Sequence, residues 1–185
     1  MIHKPENLGM GLQPYINNDT DTKDNRFSTY SLKKMMYSLK DFCYGTILDV
    51  GCGNARLNCI FDIYFDRIVG IDKYRKPNNK FLIDKFEFIN CDLFQITEKF
   101  NVVAFMGSFY LHHSYGYLNT LQHTKKLLKP SGKIIILDDK KRNTNSDLKN
   151  QRGYYDLVDI SNNLNLKIYL TFIHENYLSV NILGE

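Results

Sequence analysis

Several protein classes are set aside by what this sequence lacks. Its four cysteines (Cys43, Cys52, Cys59 and Cys91) form no C-x-x-C pair, and no tight Cys/His cluster offers the ligands of a zinc site. Cys52 sits inside a glycine turn, and Cys43 and Cys59 flank apolar runs. The thiols therefore read as reduced and partly buried, in a cytosolic protein. No run approaches the roughly 18 to 20 apolar residues of a membrane helix. The opening residues MIHKPENLGMG hold no apolar stretch of the kind a signal peptide carries. A soluble, cytoplasmic protein is the expectation. Charge of one sign is also scarce: 24 basic against 20 acidic residues leave a net +4. The densest basic runs (Lys125, Lys126 and Lys129, then Lys133, then Lys140, Lys141 and Arg142) are short and fit a solvated surface. A nucleic-acid partner is disfavoured, because it calls for basic residues gathered on one face. Internal repeats and linkers are missing as well.

What is present suits one domain with its own core. The chain has 185 residues, 43% of them hydrophobic, with 12 Phe and 13 Tyr. That apolar content excludes a disordered chain. Residues 1–25 are polar and read as a loop or arm. Leu32, Met35, Met36 and Leu39 then recur at helical spacing within an expected helix over residues 28–42, with Ser28 as its cap.

From Thr46 onward short apolar strands alternate with amphipathic stretches. Strands are expected at 47–50, 67–71, 86–89, 102–106 and 133–137. Leu57, Ile60, Phe61 and Tyr64 lie on one face after the first, and a helix over 115–128 follows the fourth. Lys129, Pro130, Ser131 and Gly132 end that helix in a turn. A helix over 148–162 shows Tyr154, Leu157, Val158 and Ser161 on one side. Two last strands, 166–173 and 177–183, are joined at hairpin length. Such alternation predicts an α/β three-layer sandwich, mostly parallel, with a terminal hairpin adding an antiparallel edge strand.

The strongest chemical signal is the strand, turn and helix start at Asp49-Val50-Gly51-Cys52-Gly53-Asn54-Ala55. Gly51 permits a tight turn off the strand, and Gly53 lets backbone approach a ligand where a Cβ would clash. Asn54 and Ala55 are expected to open the next helix. Asp72 ends the next strand about 20 residues on, where a carboxylate receives both hydroxyls of a ribose. Asp92 stands just past the third strand, where it can meet an adenine amino group. Each acid alone also suits a loop or a helix cap; their order along neighbouring strands is what points to a nucleoside site.

Taken together these pieces resemble the class I methyltransferases that use S-adenosylmethionine, in particular the compact small-molecule type. Residues 47–55 resemble the first motif, 68–72 the second and 88–93 the third. Residues 102–106 with Leu111, His112 and His113 resemble the fourth. Residues 127–133 resemble the turn before the fifth strand, with Ser131 where the family usually has glycine. The resemblance implies a Rossmann-like seven-stranded sheet, last strand antiparallel, with S-adenosylmethionine as cofactor and S-adenosylhomocysteine as product. It implies that residues 46–185 form the core and residues 1–45 an arm and helix capping the cofactor.

By position, Asp49, Gly51, Cys52 and Gly53 would surround the methionine moiety. Asp72 would hold the ribose, with Lys73 beside the adenosine. Asp92 and Leu93 would frame the adenine, and Met106 would lie by the sulfonium. Arg26, Ser28 and Tyr30, at the entry to the first helix, are expected to close over the cofactor's carboxylate. A nicotinamide enzyme is set aside because Arg56 stands where close helix–strand packing calls for a small residue.

Histidine has a pKa suited to moving a proton from the acceptor, so His113 and His112 are the candidate bases; packing or capping is their alternative role. Tyr110, Tyr115 and Tyr117 either line an acceptor pocket or serve as core and surface aromatics. The stretch Met106-Gly107-Ser108-Phe109 lacks the prolines of amino-DNA methyltransferases, and no Pro-Cys pair for cytosine C5 chemistry occurs. Asp138 and Asp139 alone make a poor metal site, so no metal is expected. The expected acceptor is a small molecule. A protein or RNA target, or a silent cofactor-binding partner subunit, stays open.

Overall fold

A computed structural model describes residues 29–139, 156–174 and 178–185. Helix α1 (Thr29–Ser38) buries Leu32, Met35 and Met36, and Leu39 is buried just beyond its end. The chain then tightens into a 3-10 turn at Lys40–Phe42. That turn accounts for the last part of the helix expected to reach Phe42; Ser28, its expected cap, lies outside the described residues. Strand β1 (Thr46–Val50), the four-residue α2 (Asn58–Phe61), β2 (Arg67–Ile71), β3 (Phe86–Ile89) and β4 (Phe100–Met106) follow. Helix α3 (Tyr117–Lys126), β5 (Leu128–Asp139), α4 (Leu157–Asn163), β6 (Lys167–His174) and β7 (Leu178–Gly184) complete the order.

The seven strands form one sheet in the order β3-β2-β1-β4-β5-β7-β6. The first five run parallel, and β7 is antiparallel to both β5 and β6. Successive strand residues point to opposite faces, so each strand feeds two cores. Ile47, Ile68, Val102 and Ile135 pack with α1 and with Ile60 and Phe61 of α2. Leu48, Val69, Val103 and Ile134 pack with Leu121 of α3 and Leu157 of α4. Burial on both faces is why these strands are continuously apolar.

Several expectations are corrected. The antiparallel strand is the last in the chain, but it lies inside β6 instead of at the sheet edge. Asn54 and Ala55 do not open a helix: Ala55 takes φ 64°, a left-handed conformation that breaks helical hydrogen bonding, and α2 starts only at Asn58. The helix expected from residue 115 begins after a separate 3-10 segment, Phe109–Ser114, and a left-handed Gly116 at φ 78°. In α4 the inward residues are Leu157, Ile160 and Ser161, while Val158 is 59% exposed; Tyr154 lies outside the described residues. Cys59 is exposed rather than partly buried. The 129–132 turn is absorbed into β5 as an excursion, where pairing jumps from Phe100 with Leu128 to Val102 with Lys133. No helix among the described residues is long and apolar enough to cross a membrane.

Ser131 occupies φ 63° in that excursion. Its backbone carbonyl accepts hydrogen bonds from Tyr44 Oη at 3.0 Å and Lys133 Nζ at 2.9 Å, both of which a glycine would keep. Ser131→Gly is therefore expected to stabilise the fold by about 0.5–1 kcal/mol, because strain removed from the native state exceeds the freedom added to the unfolded one. A urea titration reads this as a higher midpoint at unchanged slope; a lower midpoint would contradict the strain argument.

Candidate active site

The bend after β1 is built from two left-handed glycines, Gly51 at φ 74° and Gly53 at φ 58°. It is tied to β2 at once: the N–H groups of Gly51 and Cys52 both donate to the Ile71 carbonyl, at 2.8 and 3.0 Å. A Cβ on Gly51 would come within 2.7 Å of Ser108 Cβ, so the loop after β4 presses directly on the bend. Ser108 is buried there, with its hydroxyl donating to the Val50 carbonyl. Gly53 differs, since a Cβ built on it meets nothing within 4 Å. The space in front of it is open.

That space belongs to a cavity whose wall includes Arg75, Leu111 and Leu137. It opens at the carboxyl ends of β1, β2, β4 and β5, where open α/β sheets place their ligands. Asp49, Gly51, Cys52, Gly53, Asp72 and Met106, all expected at the cofactor, line it together. Leu32 of α1 lines it too.

Two carboxylates shape this cavity differently. Asp72 Oδ2 accepts the Gly53 N–H at 3.0 Å, and its Oδ1 accepts the N–H groups of Tyr74 and Arg75 at 2.8 Å each. Three of about four acceptor positions are thus taken, which leaves Asp72 capacity for one more donor. Asp49 is 1% exposed, and its Oδ2 has no hydrogen-bond partner. Burial, reinforced by the charge of Asp72, pushes its carboxyl up to about 7. An orphaned carboxylate oxygen in a cavity wall is costly unless a ligand satisfies it. Burial and these same two acids raise the Cys52 thiol as well, so it stays protonated and inert.

The other expected residues lie elsewhere. Asp92 caps the 3-10 turn Leu93–Gln95 in a reciprocal box: its Oδ1 accepts the Phe94 N–H at 3.2 Å, and Gln95 Oε1 accepts the Asp92 N–H at 2.8 Å. Tyr115 Oη donates to Asp92 Oδ2 at 2.6 Å, and Lys73 Nζ stands 3.5 Å away. Burial raises the Asp92 carboxyl, but these hydrogen bonds and Lys73 outweigh it and hold it below the usual carboxylate range. Leu93 is buried in the core beneath. None of Lys73, Asp92 and Leu93 lines the cavity itself. Arg26 lies outside the described residues, and Tyr30 is described only as backbone in the first turn of α1.

His112 is packed edge-on to Phe105 at 5.5 Å, with its Nδ1 buried and unpartnered. Burial lowers its pKa to about 4 against the pull of Asp92, so its ring is neutral at neutral pH. His113 is half-buried. Neither histidine lines the cavity; Tyr110 and Leu111 from the same 3-10 segment do. Tyr115 turns to Asp92, and Tyr117 Oη donates to the Tyr110 carbonyl at 3.1 Å. Asp138 is fully buried and accepts the Tyr110 N–H at 3.3 Å, supporting the cavity wall. Among the described residues no group of three or more His, Cys, Asp or Glu converges as a metal site would.

Sequence reasoning missed Arg56 and Arg75, which also line the cavity. Arg56 had entered only as an argument against nicotinamide; its place directly after the bend was the available signal. The orphaned Asp49 oxygen had no signal in the sequence, because it depends on which strands flank β1.

No family model and no curated protein matches this sequence. Solved structures do match its fold. A DhpI–SAM–HEP complex superposes with a TM-score of 0.68 over 88% of this chain and 90% of that one, at 13% identity. The magnesium protoporphyrin IX methyltransferase ChlM from Synechocystis PCC 6803, with bound SAM, gives 0.65 over 93% and 88% at 15% identity. The N-methyltransferase NodS from Bradyrhizobium japonicum WM9 gives 0.63 over 88% and 97% at 12% identity. The protein has the Rossmann-like fold of the class I, S-adenosylmethionine-dependent methyltransferases.

The buried Asp49 makes a test of its own. In the unfolded chain this acid ionises near its ordinary 3.8, whereas in the fold it resists until about 7. The folded state therefore holds the proton longer, and stability falls as pH rises between those values. Asp49→Asn carries no such proton. It is expected to make the ligand-free protein more stable by roughly 1–3 kcal/mol at pH 8 and little changed at pH 4. Thermal melts at both values check this; an equal shift at both would show that packing, not ionisation, is at work.

Proposed function

We propose that this protein binds S-adenosylmethionine in the cavity beside Gly53 and transfers its methyl group to oxygen or nitrogen of a small-molecule acceptor. The observation that carries the reading is the pairing of an orphaned Asp49 oxygen with open space before Gly53, on one cavity wall. An ammonium group is the natural partner of a buried, unsatisfied carboxylate. The remaining acceptor position on Asp72 suits one hydroxyl of a ribose. When bound, the cofactor supplies an electrophilic methyl group on a sulfonium centre. The chain's own part is to hold and orient. The bend at Gly51 and Gly53 keeps the cavity free of side chains, Met106 and Gly107 form the wall assigned to the sulfonium, and Leu32, Leu111 and Leu137 exclude water.

A small acceptor is supported by the largely apolar wall around these leucines and by the fold neighbours, one of them a magnesium protoporphyrin IX methyltransferase. For proton removal the assignment is His113, since burial keeps His112 a weak base near pH 7. His113 adjoins Leu111 and Tyr110 of the cavity wall within the same 3-10 segment.

Tritiated methyl transfer from the cofactor to pools of small metabolites, proteins and RNA tests the reaction and its acceptor together. Transfer is expected to the small-molecule pool. Labelling confined to protein or RNA replaces the acceptor assignment, and tight cofactor binding without any transfer identifies a silent partner subunit. Gly53→Arg, which fills the open space, is expected to abolish calorimetric binding of S-adenosylhomocysteine; unchanged affinity removes the cavity as the cofactor site. His113→Ala is expected to lower turnover by about 10²-fold or more while leaving cofactor affinity unchanged. Normal turnover removes it as the base.

A further inference from the structure

Two arginines share the cavity wall with the two carboxylates. Arg56 stands just past the bend that follows β1, and Arg75 stands in the loop that follows β2. Among the described residues they are the only cations that line the cavity. Hydrogen bonds bring them to one corner. The Asn78 N–H donates to the Asn54 carbonyl at 3.0 Å, and Asn58 Nδ2 donates to the Phe81 carbonyl at 3.1 Å. These bonds fasten the loop after β2 against the bend and against α2. The Arg75 N–H is fixed to Asp72 Oδ1 at 2.8 Å, and the Arg56 N–H to Asn54 Oδ1 at 3.2 Å. Both arginines are half-buried, where a charge is screened less than at an open surface. The same loop is one-sided in charge. Between Asp72 and Asp84 it carries Lys73, Arg75, Lys76 and Lys80 and no acid. Lys73 stands 3.5 Å from Asp92, while Lys76 and Lys80 are exposed.

S-adenosylmethionine brings an ammonium and a sulfonium against one carboxylate, a net single positive charge. The cavity's acids, Asp49 and Asp72, balance its two arginines. A cofactor-filled site therefore keeps one positive charge in excess, and a proton on Asp49 would enlarge that excess. Uncompensated charge in a partly buried site is costly, and an ion of opposite sign relieves it. Asp49 is not the partner of either guanidinium: its Oδ2 is orphaned, and its carboxyl is raised by burial and by Asp72, whereas a touching arginine would pull it down. Each guanidinium offers five N–H donors in a planar fork that matches phosphate and carboxylate oxygens, so a bond elsewhere in the protein leaves others. We propose that Arg56 and Arg75 bind an anionic group of the methyl acceptor, a phosphate or a carboxylate, which makes the acceptor an acidic small molecule. The proposal rests on the cofactor reading above and narrows its acceptor. The exposed lysines of the loop add a field that draws such a molecule toward the cavity.

Calorimetric titration of the protein saturated with S-adenosylhomocysteine tests this, because the cofactor's own carboxylate is then already in place. The probes are phenyl phosphate, benzoate and phenol, which share a ring and differ in charge. At least one of the two anions is expected to bind about tenfold or more tightly than phenol, and which one does so tells phosphate from carboxylate. Arg56→Gln and Arg75→Gln are each expected to remove about tenfold of that preference and to leave phenol binding unchanged. Both variants are expected to hold S-adenosylhomocysteine within about twofold of the unmodified protein, which also shows that they fold. Equal binding of phenol and the anions, or no binding by any of the three, overturns the proposal. So does a loss of S-adenosylhomocysteine affinity as large as the loss for the anion, which gives the arginines to the cofactor's carboxylate. Failure of S-adenosylhomocysteine to bind the unmodified protein overturns the cofactor reading and this proposal with it.

Discussion

The site depends on a backbone bend that only a residue without a side chain makes cheaply. Gly51 and Gly53 both sit at positive φ. Two hydrogen bonds to the Ile71 carbonyl and one to the Asp72 carboxylate hold the bend against the end of β2. The loop after β4 closes on it through Ser108. Three strand ends are thereby locked in register around one point. Asp72 serves twice: it organises the bend and its own loop, and it still faces the cavity with an acceptor to spare. Its loss is costly to the bend, because the N–H groups of Gly53, Tyr74 and Arg75 would all lose their acceptor.

Beside this rigid frame stands a deliberate weakness. A buried carboxyl with an unpartnered oxygen lowers the stability of the ligand-free fold at neutral pH, and Asp49 is such a group. Its neighbours in β1, Ile47, Leu48 and Val50, are apolar and fill the two cores. Strain of this kind persists where binding relieves it. Asp72, with most of its acceptor positions filled by backbone, and Asp49, with an unpartnered oxygen, therefore give the cavity two unlike carboxylates.

The aromatic residues after β4 show how one short segment is shared between tasks. Phe109 fills the core, Tyr110 and Leu111 face the cavity, His112 packs against Phe105, and Tyr115 crosses to Asp92. A 3-10 segment turns the chain by about three residues per turn, so consecutive residues point to different sides. Adjacent histidines thus meet unlike environments, and burial silences His112 as a base.

Much of this was legible in the chain alone. Apolar strands alternating with amphipathic stretches dictated a parallel sheet with two cores, because strand period and crossover handedness are local matters. The glycine bend and Asp72 were legible for the same reason: positive φ demands glycine, and strand ends recur at a regular interval. Folding in three dimensions settled the rest. It placed β7 inside β6, shortened the helix after the bend through left-handed Ala55, and put Arg56 on the cavity wall. It left Asp49 Oδ2 without a partner and gave Asp92 to Tyr115. Those outcomes turn on which distant groups come within hydrogen-bond reach, and spacing along one chain does not encode distances between loops joined only through the sheet.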